Sequence, residues 1–233
     1  FMSGTTVMAS QYWGKKDNKS VEQILAIAMR YSLLVGIIFT IVTAFFPETI
    51  MSVFTSNPTL IKSGGEYLRV VSLSYVLTGF SQVYFCIMKV CDRAGLSSLI
   101  GSLSVVLNIV LNGIFIFGLC GMPEMGIKGA ALATVLARVF EVVFVSVILI
   151  RKKCISLRIS MIVHNTVPVL HKDYWHYTIP LLFNQLGWGG GITMYSVIMG
   201  HLGSDATAAN AIANIVRCMV ASLCWGVAAG VGI

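Results

Sequence analysis

The chain has 233 residues, of which 57% are hydrophobic and only 11% are charged, and its mean hydropathy is +0.86. Soluble domains carry about 25% charged residues, so a soluble chain of this composition would lack the polar side chains that cover a surface. The composition therefore excludes an ordinary soluble enzyme and favours a chain whose solvent is the lipid bilayer.

Long windows with few charged residues run through the whole sequence. None of them alternates between apolar and polar residues, as strands of a membrane barrel would. We therefore predict an all-α, polytopic transmembrane helical bundle, in which residues 1–12 are the end of one further helix. The predicted spans are 31–47, 70–88, 94–123, 129–150, 177–204 and 206–233.

Basic residues are concentrated in every second connecting loop. The basic loops are 14–23, 89–93 and 151–175. In the intervening loops, 47–66 and 121–128, Lys62 and Lys128 are the only lysine or arginine residues. The positive-inside rule places the basic loops in the cytoplasm and the chain in the cytoplasmic membrane. The formal net charge of +7 then reflects these loops, and we expect no nucleic-acid partner.

The longest and most basic connection divides the chain into two parts. We predict an amino-terminal lobe over residues 1–150, a cytoplasmic linker loop over 151–175, and the start of a second lobe over 176–233. Because the sequence begins with Phe1 and both ends lie in apolar runs, we expect an internal segment of a longer protein.

Motifs of soluble enzymes and cofactor sites do not occur in the sequence. It contains no phosphate-binding glycine loop and no metal-binding spacing among its six cysteines. We therefore expect neither an enzyme nor a resident cofactor or metal, and we interpret the cysteines as small apolar residues.

Polar residues inside predicted spans are the candidates for function, because hydrocarbon disfavours them and they tend to face a cavity or a partner. Asparagines recur at i, i+4 spacing, and Thr134, Arg138 and Glu141 share one helix face. The alternative interpretation is that such residues only hold helices together by hydrogen bonds. The candidates are Asn108, Asn112, Thr134, Glu141, Asn184, Gln185, Asn210 and Asn214.

Several segments resemble the multidrug and toxic compound extrusion (MATE) family. The segment from Asn108 to Thr134, with Asn112 and the run Gly129-Ala-Ala-Leu-Ala-Thr134, resembles its fifth and sixth helices. Gln11-Tyr-Trp-Gly14 is similar to the end of its second helix, and Pro180 with the alanine-rich stretch 206–213 to its seventh and eighth helices. The resemblance implies two six-helix lobes, of which this chain would run from late helix two into helix eight.

The resemblance also implies a cation site in the amino-terminal lobe. Family members often build it from an acid on helix one, Asn and Asp on helix five, and Thr on helix six. Asn108 matches the Asn and Thr134 the Thr, whereas Asn112 stands where the Asp is often found and carries no charge. Na⁺ is the metal ion that this site would take, and the missing charge leaves helix one, later helices or Glu141 to supply it.

By resemblance, we expect a secondary antiporter that exports amphipathic, often cationic compounds in exchange for Na⁺ or H⁺ by alternating access. Its partners would be the lipid bilayer and small amphipathic organic substrates, and the full-length protein would be a monomer. The alternatives are a lipid-linked oligosaccharide flippase of the same superfamily, a receptor or channel, and a membrane-embedded enzyme. The spans hold no paired acids or histidine cluster that would favour the enzyme.

Overall fold

The computed structural model describes residues 1–118, 121, 123–150 and 168–231, and helices dominate these ranges, which contain no β-strand. This confirms the predicted all-α bundle. The α-helices, in chain order, are α1 (Met2–Gly14), α2 (Asn18–Phe45), α3 (Pro47–Phe54), α4 (Pro58–Val71), α5 (Leu73–Val90), α6 (Ala94–Phe117), α7 (Gly126–Ile150), α8 (Pro168–His201) and α9 (Ser204–Val231).

Five helices in the described ranges, namely α2, α5, α6, α7 and α9, are long and apolar enough to cross a bilayer. The sixth predicted span, 177–204, is not among them. The window 177–204 does form part of a long helix, α8, but Asn184, Gln185 and the glycines around Trp188 make that helix less apolar than the other five.

One predicted connection contains more helix than expected, and one predicted span is divided between two helices. Residues 47–66, predicted as a loop, form α3 and the first part of α4, because Pro47 and Pro58 each occupy a first helical turn, where no backbone N–H is needed. The predicted span 70–88 is likewise divided at Ser72, so that α4 ends and α5 begins within it.

Only residues 168–175 of the predicted linker 151–175 lie within the described residues, and they are helical. Residues 151–167 lie outside the described residues, and α8 begins at Pro168, because proline favours a first helical turn. The first turns of α8 pack on the amino-terminal helices. Tyr174 Oη lies 3.2 Å from Thr5 Oγ1, and Tyr31 Oη lies 2.7 Å from His171 Nε2.

The main apolar core lies where α1, α2 and α5 meet the start of α8. Its members include Met8, Ile24, Tyr84 and Tyr174, each at most 1% exposed. The turn into α2 is fixed by Asp17, whose carboxylate accepts hydrogen bonds from the backbone N–H and the hydroxyl of Ser20. These bonds lower the pKa of Asp17 and cap the helix.

Candidate functional site

Helices α6 and α7 approach each other closely along a face of small residues. A Cβ atom added to Gly129 would lie 2.7 Å from the carbonyl oxygen of Phe115. Further along, Ser104 Oγ donates a hydrogen bond of 3.1 Å to the carbonyl oxygen of Ala137, which is 3% exposed. The small side chains of α7 thus bring its polar residues within reach of those on α6.

A cavity of about 80 Å³ lies between these helices. Asn108 and Thr134 line it together, so the structure brings these two predicted residues to one place. Thr134 Oγ1 donates to the carbonyl oxygen of Ala130 at 3.0 Å, which leaves the hydroxyl oxygen able to accept from, or coordinate, a guest. The cavity lining consists of Ser104, Val105, Asn108, Thr134, Ala137 and Arg138.

Asn112 lies one helical turn after Asn108 on α6 and is not part of the cavity lining. Its Nδ2 donates a hydrogen bond of 3.1 Å to Asn108 Oδ1, so the two predicted asparagines contact each other. The Oδ1 atom of Asn112 is buried and has no hydrogen-bond partner among the described residues. A buried amide oxygen without a partner is unfavourable, and it marks this face of α6 as a place where a further donor or cation would bind.

Glu141 is 2% exposed and has two partners. Arg138 Nη1 contacts its Oε1 at 2.6 Å, and Ser81 Oγ on α5 donates to its Oε2 at 3.0 Å. The Arg138 side chain is 31% exposed and also lines the small cavity. Arg138 therefore contacts a buried carboxylate and also lines the cavity of Asn108 and Thr134. Neither Ser81 nor Ser104 stands out in the sequence, because isolated serines are common in membrane helices.

The other predicted residues form a separate group along α8 and α9. Asn184 and Gln185 line a cavity of about 660 Å³ with Trp188. Asn210 and Asn214 line another, of about 450 Å³, where Arg217 Nη2 donates to Asn214 Oδ1 at 2.9 Å. The polar candidates thus divide into a compact α6–α7 site and an open α8–α9 surface.

The glycines around Trp188 on α8 have no close neighbours among the described residues. A Cβ atom added to Gly187, Gly189, Gly190 or Gly191 would have no heavy atom of another described residue within 4 Å. Within the described residues, no other helix packs closely on these four glycines.

A larger apolar cavity of about 930 Å³ was not predicted from the sequence. It lies among the end of α2, the α3–α4 pair, α5, α7 and the junction of α8 with α9, and no charged side chain is part of its lining. Its volume suits a drug-sized molecule. Its aromatic residues come from distant parts of the sequence, so no local motif indicates it. They are Phe39, Phe54, Tyr67 and Tyr75.

Comparison with known sequences finds a transporter family model and two probable multidrug resistance proteins. The family model MatE matches residues 1–114. The probable multidrug resistance protein YoeA of Bacillus subtilis is 24% identical over 229 residues, which are 94% of this chain and 48% of that protein. The probable multidrug resistance protein NorM of Thermotoga maritima is 23% identical over 210 residues, which are 90% of this chain and 45% of that protein.

A solved structure shows the same fold. It is a MOP superfamily transporter from Pyrococcus furiosus, described as having a binding pocket of reverse polarity that suggests a different function. It matches with a TM-score of 0.75 and 24% identity, over 93% of this chain and 47% of that one. The chain thus spans about half the length of the relatives it matches.

Proposed function

We propose, from its similarity to the MATE family, that this chain forms about half of a secondary antiporter that exports amphipathic, often cationic compounds in exchange for Na⁺ or H⁺. The observation that carries the proposal is the extended similarity to two multidrug resistance proteins over at least 90% of the chain. The family is one of multi-pass membrane transporters. We place this protein in the cytoplasmic membrane, as a monomer, with its basic loops inside.

The cavities support the movement of an organic substrate. The apolar cavity of about 930 Å³ offers aromatic faces to an amphipathic compound. The α8–α9 surface offers amide groups from Asn184, Gln185, Asn210 and Asn214. A path with apolar walls and few polar contacts binds loosely enough to release its cargo, as an exporter requires.

The coupling ion would use the α6–α7 site. Asn108 and Thr134 line one small cavity with oxygen-bearing side chains, and Asn112, whose Oδ1 is buried, lies one helical turn from Asn108. Oxygen ligands of this kind suit a hard cation, of which Na⁺ is the candidate. No cofactor beyond the coupling ion is part of this proposal.

A flippase for lipid-linked oligosaccharides is the second candidate. It is favoured by the two arginines at cavities, Arg138 between α6 and α7 and Arg217 between α8 and α9. An anionic diphosphate headgroup would be attracted to guanidinium groups, whereas a cationic drug would be repelled.

Drug accumulation in cells separates the two candidates. We expect an efflux-deficient bacterial strain that expresses the full-length protein to accumulate less of a fluorescent lipophilic cation than the same strain with an empty vector. Equal accumulation, together with rescue of a strain that lacks its own lipid-linked oligosaccharide flippase, would favour the flippase instead.

A further inference from the structure

We propose that the turn after α1 and the turn after α5 together form a binding surface for the headgroup of an anionic phospholipid. The inference requires only that the chain spans a membrane, so it does not depend on what the protein transports. It begins from the hydrogen bond of 3.1 Å that Trp13 Nε1 donates to Asp92 Oδ2, because this bond joins the two turns.

The two turns are short and have the same backbone form. Three residues separate α1 from α2, and three separate α5 from α6. Each turn contains a left-handed residue other than glycine, Lys16 with φ 59° and Asp92 with φ 58°. The backbone N–H of the next residue donates back to the preceding helix, at 3.0 Å from Asp17 and at 2.9 Å from Arg93. These bonds close the helix ends and hold the side chains of the turns beside them.

The position of the turns favours a lipid over a soluble partner. Helices α2, α5 and α6 are each long and apolar enough to cross a bilayer, and all three have one end at these turns. Three residues span at most roughly 10 Å, so the turns stay at the level of the lipid headgroups. Trp13 suits this level, because tryptophan is enriched where a membrane meets water.

The charge on the two turns complements an anionic headgroup. Residues 14–23 and 89–93 hold five basic and three acidic side chains, whereas 47–66 and 121–128 hold two basic and three acidic side chains. Anionic lipids attract basic residues next to membrane spans, and each such residue strengthens binding about fivefold. The basic residues of the two turns are all exposed, and they are Lys15, Lys16, Lys19, Lys89 and Arg93.

Two of the three acidic side chains are engaged within the protein. Asp92 accepts the hydrogen bond from Trp13. Asp17 accepts from the backbone N–H of Ser20 at 3.2 Å and from its hydroxyl at 2.6 Å. The acids thus serve to shape and join the turns, and the excess of positive charge faces the membrane surface. The alternative is a diffuse attraction in which each turn acts alone.

Thermal unfolding of the purified full-length protein in a neutral detergent tests this. Phosphatidylglycerol should raise the midpoint more than phosphatidylcholine with the same acyl chains does. The double variant Lys16→Gln, Arg93→Gln removes one charge from each turn and should need at least about 10-fold more phosphatidylglycerol for half of the rise. The matched control is Lys62→Gln, Lys128→Gln, which removes two charges from the intervening loops and should behave as the wild type does.

Trp13→Phe separates a joined surface from two independent turns. It keeps an aromatic ring and every basic residue but loses the hydrogen bond to Asp92, so it should weaken phosphatidylglycerol binding severalfold. Binding as tight as in the wild type would contradict the joined surface. Should Trp13→Phe fail to fold, the single variants decide, since Lys16→Gln and Arg93→Gln should each weaken binding about fivefold. A loss in only one of them would overturn the proposal.

Two further outcomes would also overturn the lipid surface. If the control pair loses as much phosphatidylglycerol binding as the Lys16, Arg93 pair, the attraction is diffuse. If inorganic phosphate raises the midpoint as phosphatidylglycerol does, the surface binds soluble anions instead. Both results leave the proposed function untouched, because none of these measurements depends on transport.

Discussion

The indole Nε1 of Trp13 donates a hydrogen bond of 3.1 Å to the Oδ2 atom of Asp92. This bond holds the turn after α1 and the turn after α5 at one end of the bundle. At another point, Lys128 Nζ lies 3.4 Å from Glu66 Oε2, which joins the start of α7 to α4. Helix α6 begins next to Asp92 and runs to the other end of the bundle, where α7 begins. The ion pair therefore lies at the opposite end from Asp92. The contacts therefore place the turns after α1 and α5 at one end of the bundle and the start of α7 at the other.

Cysteine accessibility tests the orientation of these ends. With the full-length protein in intact cells, Lys16→Cys, Arg93→Cys and Lys153→Cys should react with a membrane-impermeant maleimide only after permeabilisation, because basic loops stay in the cytoplasm. Glu66→Cys should react from outside and serves as the opposite-side control. Labelling of Lys16→Cys and Arg93→Cys from different sides would contradict the topology.

Substituting Asn112 tests whether the asparagine pair takes part in ion coupling or only stabilises the helices. Asn112→Asp adds a carboxylate one turn from the cavity and should lower the Na⁺ concentration needed for half-maximal transport about 10-fold or shift its pH profile. Asn112→Leu removes the hydrogen bond to Asn108, a loss of about 1 kcal/mol of stability, and should also reduce transport per folded molecule. Flux normalised to folded protein measures both effects.

A purely structural role for Asn112 gives a different pattern. Asn112→Leu would then lower the thermal unfolding midpoint, whereas turnover of the folded protein and its ion dependence would match the wild type. That pattern would remove Asn112 from the coupling site.

Gly129 should be intolerant of a larger side chain. A Cβ there would lie 2.7 Å from the backbone of Phe115, so Gly129→Ala must push α6 and α7 apart and should destabilise the protein by about 1–3 kcal/mol. Gly101→Ala on α6, where no described atom lies within 4 Å, is the control and should be neutral or slightly stabilising. Equal unfolding midpoints for the two variants would contradict the close approach.

The glycines of α8 offer a test of bending. No described residue lies within 4 Å of a Cβ added to Gly190, so Gly190→Ala should stabilise its helix by about 0.5–1 kcal/mol. If α8 bends during the transport cycle, the same variant should lower the maximal rate of transport severalfold. A variant that is more stable and transports at the wild-type rate would argue against a bending role.

The sequence predicts the bundle well because membrane helices are local features. An apolar window such as 94–123 needs about 20 residues to cross the bilayer, and α6 fills most of it. The prediction is less accurate where local features compete. Pro58 starts a helix inside a predicted loop, and Asn184 and Gln185 reduce the apolarity of a predicted span.

The candidate site is harder to predict from the sequence than the helices are, because it depends on contacts between residues that are distant in the sequence. The i, i+4 spacing of Asn108 and Asn112 does predict their contact. By contrast, Ser81 lies 60 positions from Glu141, and no spacing rule indicates that its hydroxyl reaches that carboxylate. The shared position of Arg138, between the acid and the cavity, likewise depends on how α6 packs against α7.

Reconstitution tests the central claim, ion-coupled export, most directly. The full-length protein in liposomes, loaded with a fluorescent lipophilic cation, should release the dye when an inward Na⁺ or H⁺ gradient is imposed, and the release should stop when the gradient is dissipated by an ionophore. Dye movement that is the same with and without either gradient, or no movement above protein-free liposomes, would contradict the proposal that this chain is part of a secondary antiporter.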